Sequence, residues 1–259
     1  MMYRNPFLLL ILSAIALPTL FGCEAMMGGG VRPADLAPEV REVLSLVDNQ
    51  NSGLKTFKGT GKVSLRTGGM LQTARAAWIG ARPDRFRFGI LDISGRPATG
   101  MAADGEFIYA VSHAQERFYK ARVTEPDLGR IIEIPVKIRS VIQLLTGGAP
   151  VRNFRTAEIL ADETEERKVL VLKDSRNRLV EKIRFSRDPF KVHAVEVYDP
   201  GKEMIYRAEL ADYQAAESYL LPFRVTVFDA ENWFQLEIGR YWLNPPTPAA
   251  AFVLTDPDI

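Results

Sequence analysis

Apolar and polar residues change their period repeatedly along this chain. Pro6 to Phe21 are almost wholly apolar, behind a single positive charge at Arg4. Leu36, Val40, Val43, Leu44 and Val47 then recur at helical spacing, which predicts one amphipathic helix over 35–51, with Asp35 as its N-cap and Gly53 as its stop. From Thr56 the period becomes two. Strands are expected at 58–66, 71–80, 85–91, 98–102, 106–111 and 117–121, with turns at Thr67-Gly68-Gly69, Arg82-Pro83-Asp84 and Asp104-Gly105. At 125–147 the alternation stops. Pro126, Leu128, Ile131, Ile132, Val136, Val141, Leu144 and Leu145 read as helix, divided by Pro135 into two short segments and ended by Gly147-Gly148. Alternation resumes at 154–160, 167–173, 178–186, 192–199, 203–212, 222–229 and 233–243, as in Ile183/Arg184/Phe185 and Leu236/Glu237/Ile238.

This pattern predicts a mainly β (α+β) fold: one domain over 35–259, of about a dozen antiparallel strands with helices at two places. So many antiparallel strands must curl into a barrel or sandwich to hide their edges, and the inserted helices most simply cover one open face. A sheet of this size encloses more interior than its own side chains need fill, which leaves room for a ligand cavity.

The first apolar run is too short to span a bilayer, and Gly22 is a small residue at a cut point, so residues 1–22 are expected to be an export signal. Leu20-Phe21-Gly22-Cys23 resembles a lipobox, the motif at which bacterial lipoproteins are acylated on the cysteine and cleaved before it. The bland alternative is a signal peptide followed by a coincidental cysteine. Acylation of Cys23, at ~0.8 kcal/mol per buried CH₂, implies a stable membrane anchor without a spanning helix. Residues 23–34, with Met26-Met27-Gly28-Gly29-Gly30, read as a flexible tether.

Composition narrows the chemistry. Cys23 is the one cysteine of the chain, so a disulfide or a thiolate metal cluster is excluded. The formal net charge is +1, which loss of Arg4 with the signal brings to about zero, and no basic footprint for nucleic acid is present. The two histidines, His113 and His193, lie in no nucleophile-elbow context; His113 is placed in a hairpin turn and His193 on a strand. No His or carboxylate group has metal-ligand spacing, Glu163-Thr164-Glu165-Glu166 reads as a solvated turn, and Gly28-Gly29-Gly30 lacks the strand and lysine of a phosphate cradle. Neither an enzyme nor a cofactor-binding protein is expected.

Several pieces, in order, resemble the LolA/LolB superfamily of periplasmic lipoprotein carriers and acceptors. They are the N-terminal helix, Phe57-Lys58-Gly59-Thr60-Gly61-Lys62-Val63, Trp78, Arg82-Pro83-Asp84-Arg85-Phe86-Arg87-Phe88, and Asp104-Gly105-Glu106-Phe107-Ile108-Tyr109. The helical insert with Ile134-Pro135 and Leu144-Leu145-Thr146-Gly147 follows, then Tyr241-Trp242-Leu243-Asn244-Pro245-Pro246. The resemblance implies an incomplete, strongly curved antiparallel barrel whose concave apolar face is covered by helices and holds acyl chains. Cys23 aligns the chain with the lipid-anchored LolB acceptors, and the implied location is the periplasmic side of a membrane, the outer membrane first.

Trp78, Phe86, Phe88, Ile90, Met101, Ile108, Val195, Val197, Phe223, Val225, Leu236 and Ile238 are expected on the inner face. Two readings stand for them: a packed core, or in part the wall of an acyl-chain cavity. The insert is expected to act as a lid through Leu128, Ile131, Ile132, Val136, Val141 and Leu144. Leu91-Asp92-Ile93-Ser94-Gly95 places Ile93 in a polar turn, where LolB acceptors project an apolar side chain that aids insertion of cargo into the membrane; the alternative is that Ile93 folds back onto the barrel. The expected function is to bind acyl chains of lipoproteins or lipids for transfer at the outer membrane, with a periplasmic carrier protein as a partner. The rival is a non-enzymatic scaffold of the same fold that docks a protein.

Overall fold

The structure, a computed structural model, describes residues 35–113, 115–129, 133–162 and 166–256. Helix α1 (Pro38–Asn49) leads into strands β1 (Thr56–Thr67), β2 (Met70–Ala81), β3 (Arg85–Leu91), β4 (Pro97–Ala103), β5 (Phe107–Ser112) and β6 (Arg117–Arg122). Helix α2 (Ile138–Leu145) separates them from β7 (Thr156–Ala161), β8 (Lys168–Lys173), β9 (Leu179–Arg187), β10 (Phe190–Tyr198), β11 (Met204–Ala216), β12 (Tyr219–Phe228) and β13 (Trp233–Leu243). All thirteen strands form one antiparallel sheet in the order β6-β5-β4-β3-β2-β1-β13-β12-β11-β10-β9-β8-β7. The sheet is curved but not closed, since β6 and β7 are both edges. The β1–β13 ladder, Phe57 on Leu243 through Arg66 on Trp233, joins an N-terminal wing of six strands to a C-terminal wing of seven.

Period-two alternation produces the curvature's inner face. Trp78, Phe88 and Met101 are direct cross-strand partners, as are Val225 and Leu236. These belong to one apolar core that runs beneath both wings. Two glycines let large rings lie flat on this surface. A Cβ on Gly59 would stand 2.3 Å from the Trp78 ring, and one on Gly80 would stand 2.2 Å from Phe57. Each glycine faces its aromatic directly across the β1–β2 ladder, so the missing side chain is the space the ring occupies. On the convex side, a 3-10 turn over Ala249–Phe252 buries Phe252, and Leu254 packs on Ala102, Tyr109 and Val111.

Three sequence expectations are corrected. The first helix begins at Pro38, not at 35, and its N-cap is Ala37 rather than Asp35, with no side-chain cap bond. Pro38 supplies the start instead, because its fixed φ suits the first helical position, where a backbone donor is not needed. The helix ends before Gly53, where Gln50 caps back to Val47 O and Asn51 takes φ 50°. The insert differs most. Asp127 and Lys137 pair as an antiparallel bridge, Leu128 N donates to Val136 O at 2.9 Å, and Val136 precedes α2 instead of lying in it. Residues 130–132, with the expected lid residues Ile131 and Ile132, lie outside the described residues, as do Cys23, the signal and the tether. Among the described residues no helix is long and apolar enough to cross a membrane.

Candidate functional site

Helix α2 is amphipathic: Ile138, Ile142, Leu144 and Leu145 are buried, whereas Lys137 and Arg139 stay in solvent. It crosses the concave face and leaves between itself and the sheet an apolar cavity of about 40 Å³. The sheet side of the cavity is Phe86, Phe88, Met101, Val225, Val227, Phe234 and Leu236; the insert side is Leu128, Val136, Val141, Leu144 and Leu145. No polar surface is exposed within it. Phe88 and Met101 also border an open groove of about 960 Å³ on the N-terminal wing, whose inner surface includes Leu65, Ile90 and Thr99. The two side chains thus border both the small apolar cavity and the larger groove.

The sequence-expected residues divide accordingly. Phe86, Phe88, Met101, Val225 and Leu236 line the cavity, as do Leu128, Val136, Val141 and Leu144 of the insert. Trp78, Ile108, Val195, Val197 and Ile238 are buried on the same inner face without bordering it, and Ile90 faces the open groove. Phe223 is half-buried, its ring 5.5 Å from Tyr241 in an edge contact. Leu145, Val227 and Phe234 were missed, although each continues a period already legible: Val227 follows Val225, and Phe234 precedes Leu236 and Ile238.

The two ends of α2 are held differently. At its C-terminal end Thr146 is a hub: Arg82 Nη2 donates to its hydroxyl at 2.6 Å and Asn51 Nδ2 to its carbonyl at 2.9 Å. Arg82 Nε also reaches Leu54 O at 3.1 Å, Asn51 Nδ2 reaches Leu220 O at 2.8 Å, and the buried Tyr241 hydroxyl donates to Leu145 O at 2.9 Å. Burial pulls the Arg82 guanidinium below its ordinary pKa and pushes the Tyr241 phenol upward. Gly147 then turns the chain at φ 80°. The N-terminal end is held by the Asp127–Lys137 backbone bridge, with Ile138 N donating to Pro126 O at 2.9 Å, and by ion pairs between partly solvated side chains, Lys137–Glu125 at 2.6 Å and Arg139–Asp84 at 3.6 Å. Ion pairs of this kind contribute about 0–1 kcal/mol.

A buried carboxyl sits under the same end. Glu181 is fully buried on the inner face of β9, in register with Ile183 and Phe185. Its Oε2 accepts from Arg152 N at 2.9 Å, and its Oε1 has no partner. Burial drives its pKa from 4.5 up to about 8, against the smaller opposing pull of Arg152. Tyr206, two ladders away through Val197, bears on it electrostatically, and Ser140 of α2 acts in turn on the Tyr206 hydroxyl. The alternation that marks Ile183 and Phe185 as inward already implies Glu181, which was not singled out from the sequence.

Ile93 does not fold back: it is fully exposed at the tip of the β3–β4 hairpin. Asp92 Oδ1 fixes that tip by accepting from Ser94 N at 2.8 Å, Ser94 Oγ at 2.7 Å and Arg96 N at 2.9 Å. Met70 and Leu71, at the adjacent β1–β2 hairpin, are also exposed. His113 is in the β5–β6 turn as expected. On β10, the His193 ring lies 3.1 Å from Ser186 Oγ, which itself donates to Pro189 O at 3.1 Å. Burial lowers the pKa of His193.

No family model and no curated protein matches the sequence. Solved structures match the fold. A LolA superfamily protein from Nitrosomonas europaea superposes with a TM-score of 0.56 at 12% identity, over 83% of this chain and 97% of that one. A DUF1329 family protein from Desulfovibrio piger gives 0.57 at 8% identity, over 83% and 95%. A putative outer membrane lipoprotein-sorting protein domain from Vibrio parahaemolyticus gives 0.55 at 11% identity, over 82% and 94%. The chain therefore has the LolA-superfamily fold, as its sequence resemblance implied.

Proposed function

We propose that this protein is anchored through an acylated Cys23 and binds acyl chains of lipoproteins or lipids between its concave sheet and a lid formed by the insert. The task is transfer or insertion at the periplasmic side of the outer membrane, with cargo received from a periplasmic carrier. The observation that carries this reading is the apolar space bounded on one side by the concave sheet and on the other by the apolar face of an amphipathic helix. At about 40 Å³ the space is far smaller than the roughly 150 Å³ cavity that holds a benzene molecule. A chain must therefore displace Val141, Leu144 and Leu145. Exposing those three side chains costs about 5–9 kcal/mol, and burying ~15 methylenes returns ~12 kcal/mol at ~0.8 kcal/mol each. The balance favours the bound chain by only about 3–7 kcal/mol, well short of the full ~12, which suits a protein that must release what it takes up. Ile93 at the β3–β4 tip, and Met70 and Leu71 at the β1–β2 hairpin, would enter the membrane surface during release.

The small volume of the cavity also favours a second reading, a non-enzymatic scaffold with a filled interior that docks a protein partner. Mass spectrometry of lipids co-purified with the protein, together with Phe88→Glu, separates the two. Bound lipids that disappear in a folded Phe88→Glu variant support the carrier, because an unpaired carboxylate in the wall opposes an apolar ligand. No bound lipid, and no acyl-chain binding by the purified wild type, supports the scaffold.

A further inference from the structure

An open cleft of about 870 Å³ runs along the solvent flank of α2, between the wings of the sheet. Lys137, Arg139, Ser140 and Arg152 all line it. Two of these lining residues also act on the buried pair behind the cleft wall: Ser140 bears on the Tyr206 hydroxyl, and Arg152 N donates to Glu181 Oε2 at 2.9 Å. Ser140 precedes Val141, which lines the apolar cavity, so an amphiphile with its tail in the cavity and its head in the cleft passes Ser140. Behind Ser140, in the buried wall and not in the lining of either space, lie Tyr206 and Glu181.

The hydrogen-bond inventory specifies what is missing there. Oε2 of Glu181 accepts a backbone N–H and so is the carbonyl oxygen of a neutral acid; the proton belongs on Oε1, a buried donor without an acceptor. Leu172 and Val197, its cross-strand neighbours, offer none. A neutral carboxyl accords with a pKa raised to about 8 by burial, with Arg152 and Tyr206 as the charged or titratable groups that act on it.

We propose that Glu181, supported by Tyr206 and Ser140, is the anchor for the carbonyl of an ester- or amide-linked acyl chain, donating its Oε1–H to that oxygen when α2 lifts. This rests on the acyl-chain reading above and specifies its substrate as an acyl ester or amide rather than a bare hydrocarbon tail.

The test uses the full chain in mild detergent and two probes of equal length, 1-monopalmitoylglycerol and its ether analogue 1-O-hexadecylglycerol, which lacks the carbonyl. At about pH 6 the wild type should bind the ester about tenfold tighter than the ether, the worth of one hydrogen bond. That preference should vanish at about pH 9.5, once the carboxyl has lost its proton. Glu181→Gln keeps a donor and should hold the preference at both pH values; Glu181→Leu should lose it at both while still binding the ether. Equal binding of ester and ether by the wild type overturns the anchor and leaves acyl-chain binding intact. Failure to bind either probe overturns the acyl-chain reading, and the anchor with it.

Discussion

The buried carboxyl of Glu181 should dominate how stability depends on pH. Its pKa rises from 4.5 in the unfolded chain to about 8 in the fold. Between those values the native state holds a proton that the unfolded state has released, so stability falls as pH rises. The contribution is fully present below about pH 4.5 and is lost by the time pH has passed 8. A separation of about 3.5 units at ~1.36 kcal/mol each gives a ceiling of about 5 kcal/mol. That is a large part of a typical domain's stability of ~5–15 kcal/mol. Other groups act in the same range or just below it. His193, whose pKa is lowered by burial, adds stability as pH rises towards 6.5. Glu196 is held below 4.5 because its bonds to Arg184 and Tyr198 outweigh its burial, so it loses its contribution in acid. Both are unchanged in Glu181→Gln, so the difference between wild-type and variant curves isolates Glu181. Thermal unfolding at intervals from pH 5 to pH 9 should show the wild type losing stability relative to Glu181→Gln, with melting differences growing by roughly 10–20 °C across the range. Parallel curves would mean that the carboxyl ionises freely in the fold and that its burial argument is wrong.

Four further outcomes are expected. Gly80→Ala should destabilise by about 1–3 kcal/mol in urea unfolding, because the new methyl would stand 2.2 Å from Phe57 Cζ; an unchanged midpoint would show that the ring can move aside. Arg82→Ala removes the donors to Leu54 O and to Thr146 Oγ1 and should cost about 1–3 kcal/mol, with faster hydrogen exchange at the C-terminal end of α2. When an acyl ligand binds, hydrogen exchange should speed up from Val136 through Val141 while β10 and β12 stay protected; equal protection with and without a bound ligand would make the insert fixed core. Cys23→Ser should abolish acylation and release the protein from the membrane or leave it uncleaved, and an acylated, membrane-bound variant would defeat the lipobox reading.

Alternation made the sheet legible almost to the residue, because an inward Phe86, Phe88 or Val225 must be followed by a residue that tolerates water. Even β8, buried at Val169, Leu170, Val171 and Leu172 alike, was bounded by its charged ends. The insert was harder. Leu128 and Val136 are spaced as a helix would space them, yet the bond between them is a backbone pairing that carries no side-chain period. The cap failed for a local reason: Asp35 is the better capping side chain, but Pro38 fixes where the helix can start. Which inward residues border empty space was beyond reach, since Val195 and Val225 have the same pattern and differ in whether α2 lies over them. Glu181 was reachable, because a carboxylate in the register of Ile183 and Phe185 is a contradiction that asks for an explanation.

The sheet's two free edges have a mechanical consequence. A closed barrel has its radius set by strand number and shear, and it cannot widen without breaking a ladder. Here β6 and β7 share no ladder, so the distance between the wings can change while every backbone hydrogen bond between strands is kept. Ordinary twisting along the β1–β13 ladder is enough to spread them. The girth of what lies between the wings is then limited by side-chain packing alone, and one such sheet can close around cargo of different thickness.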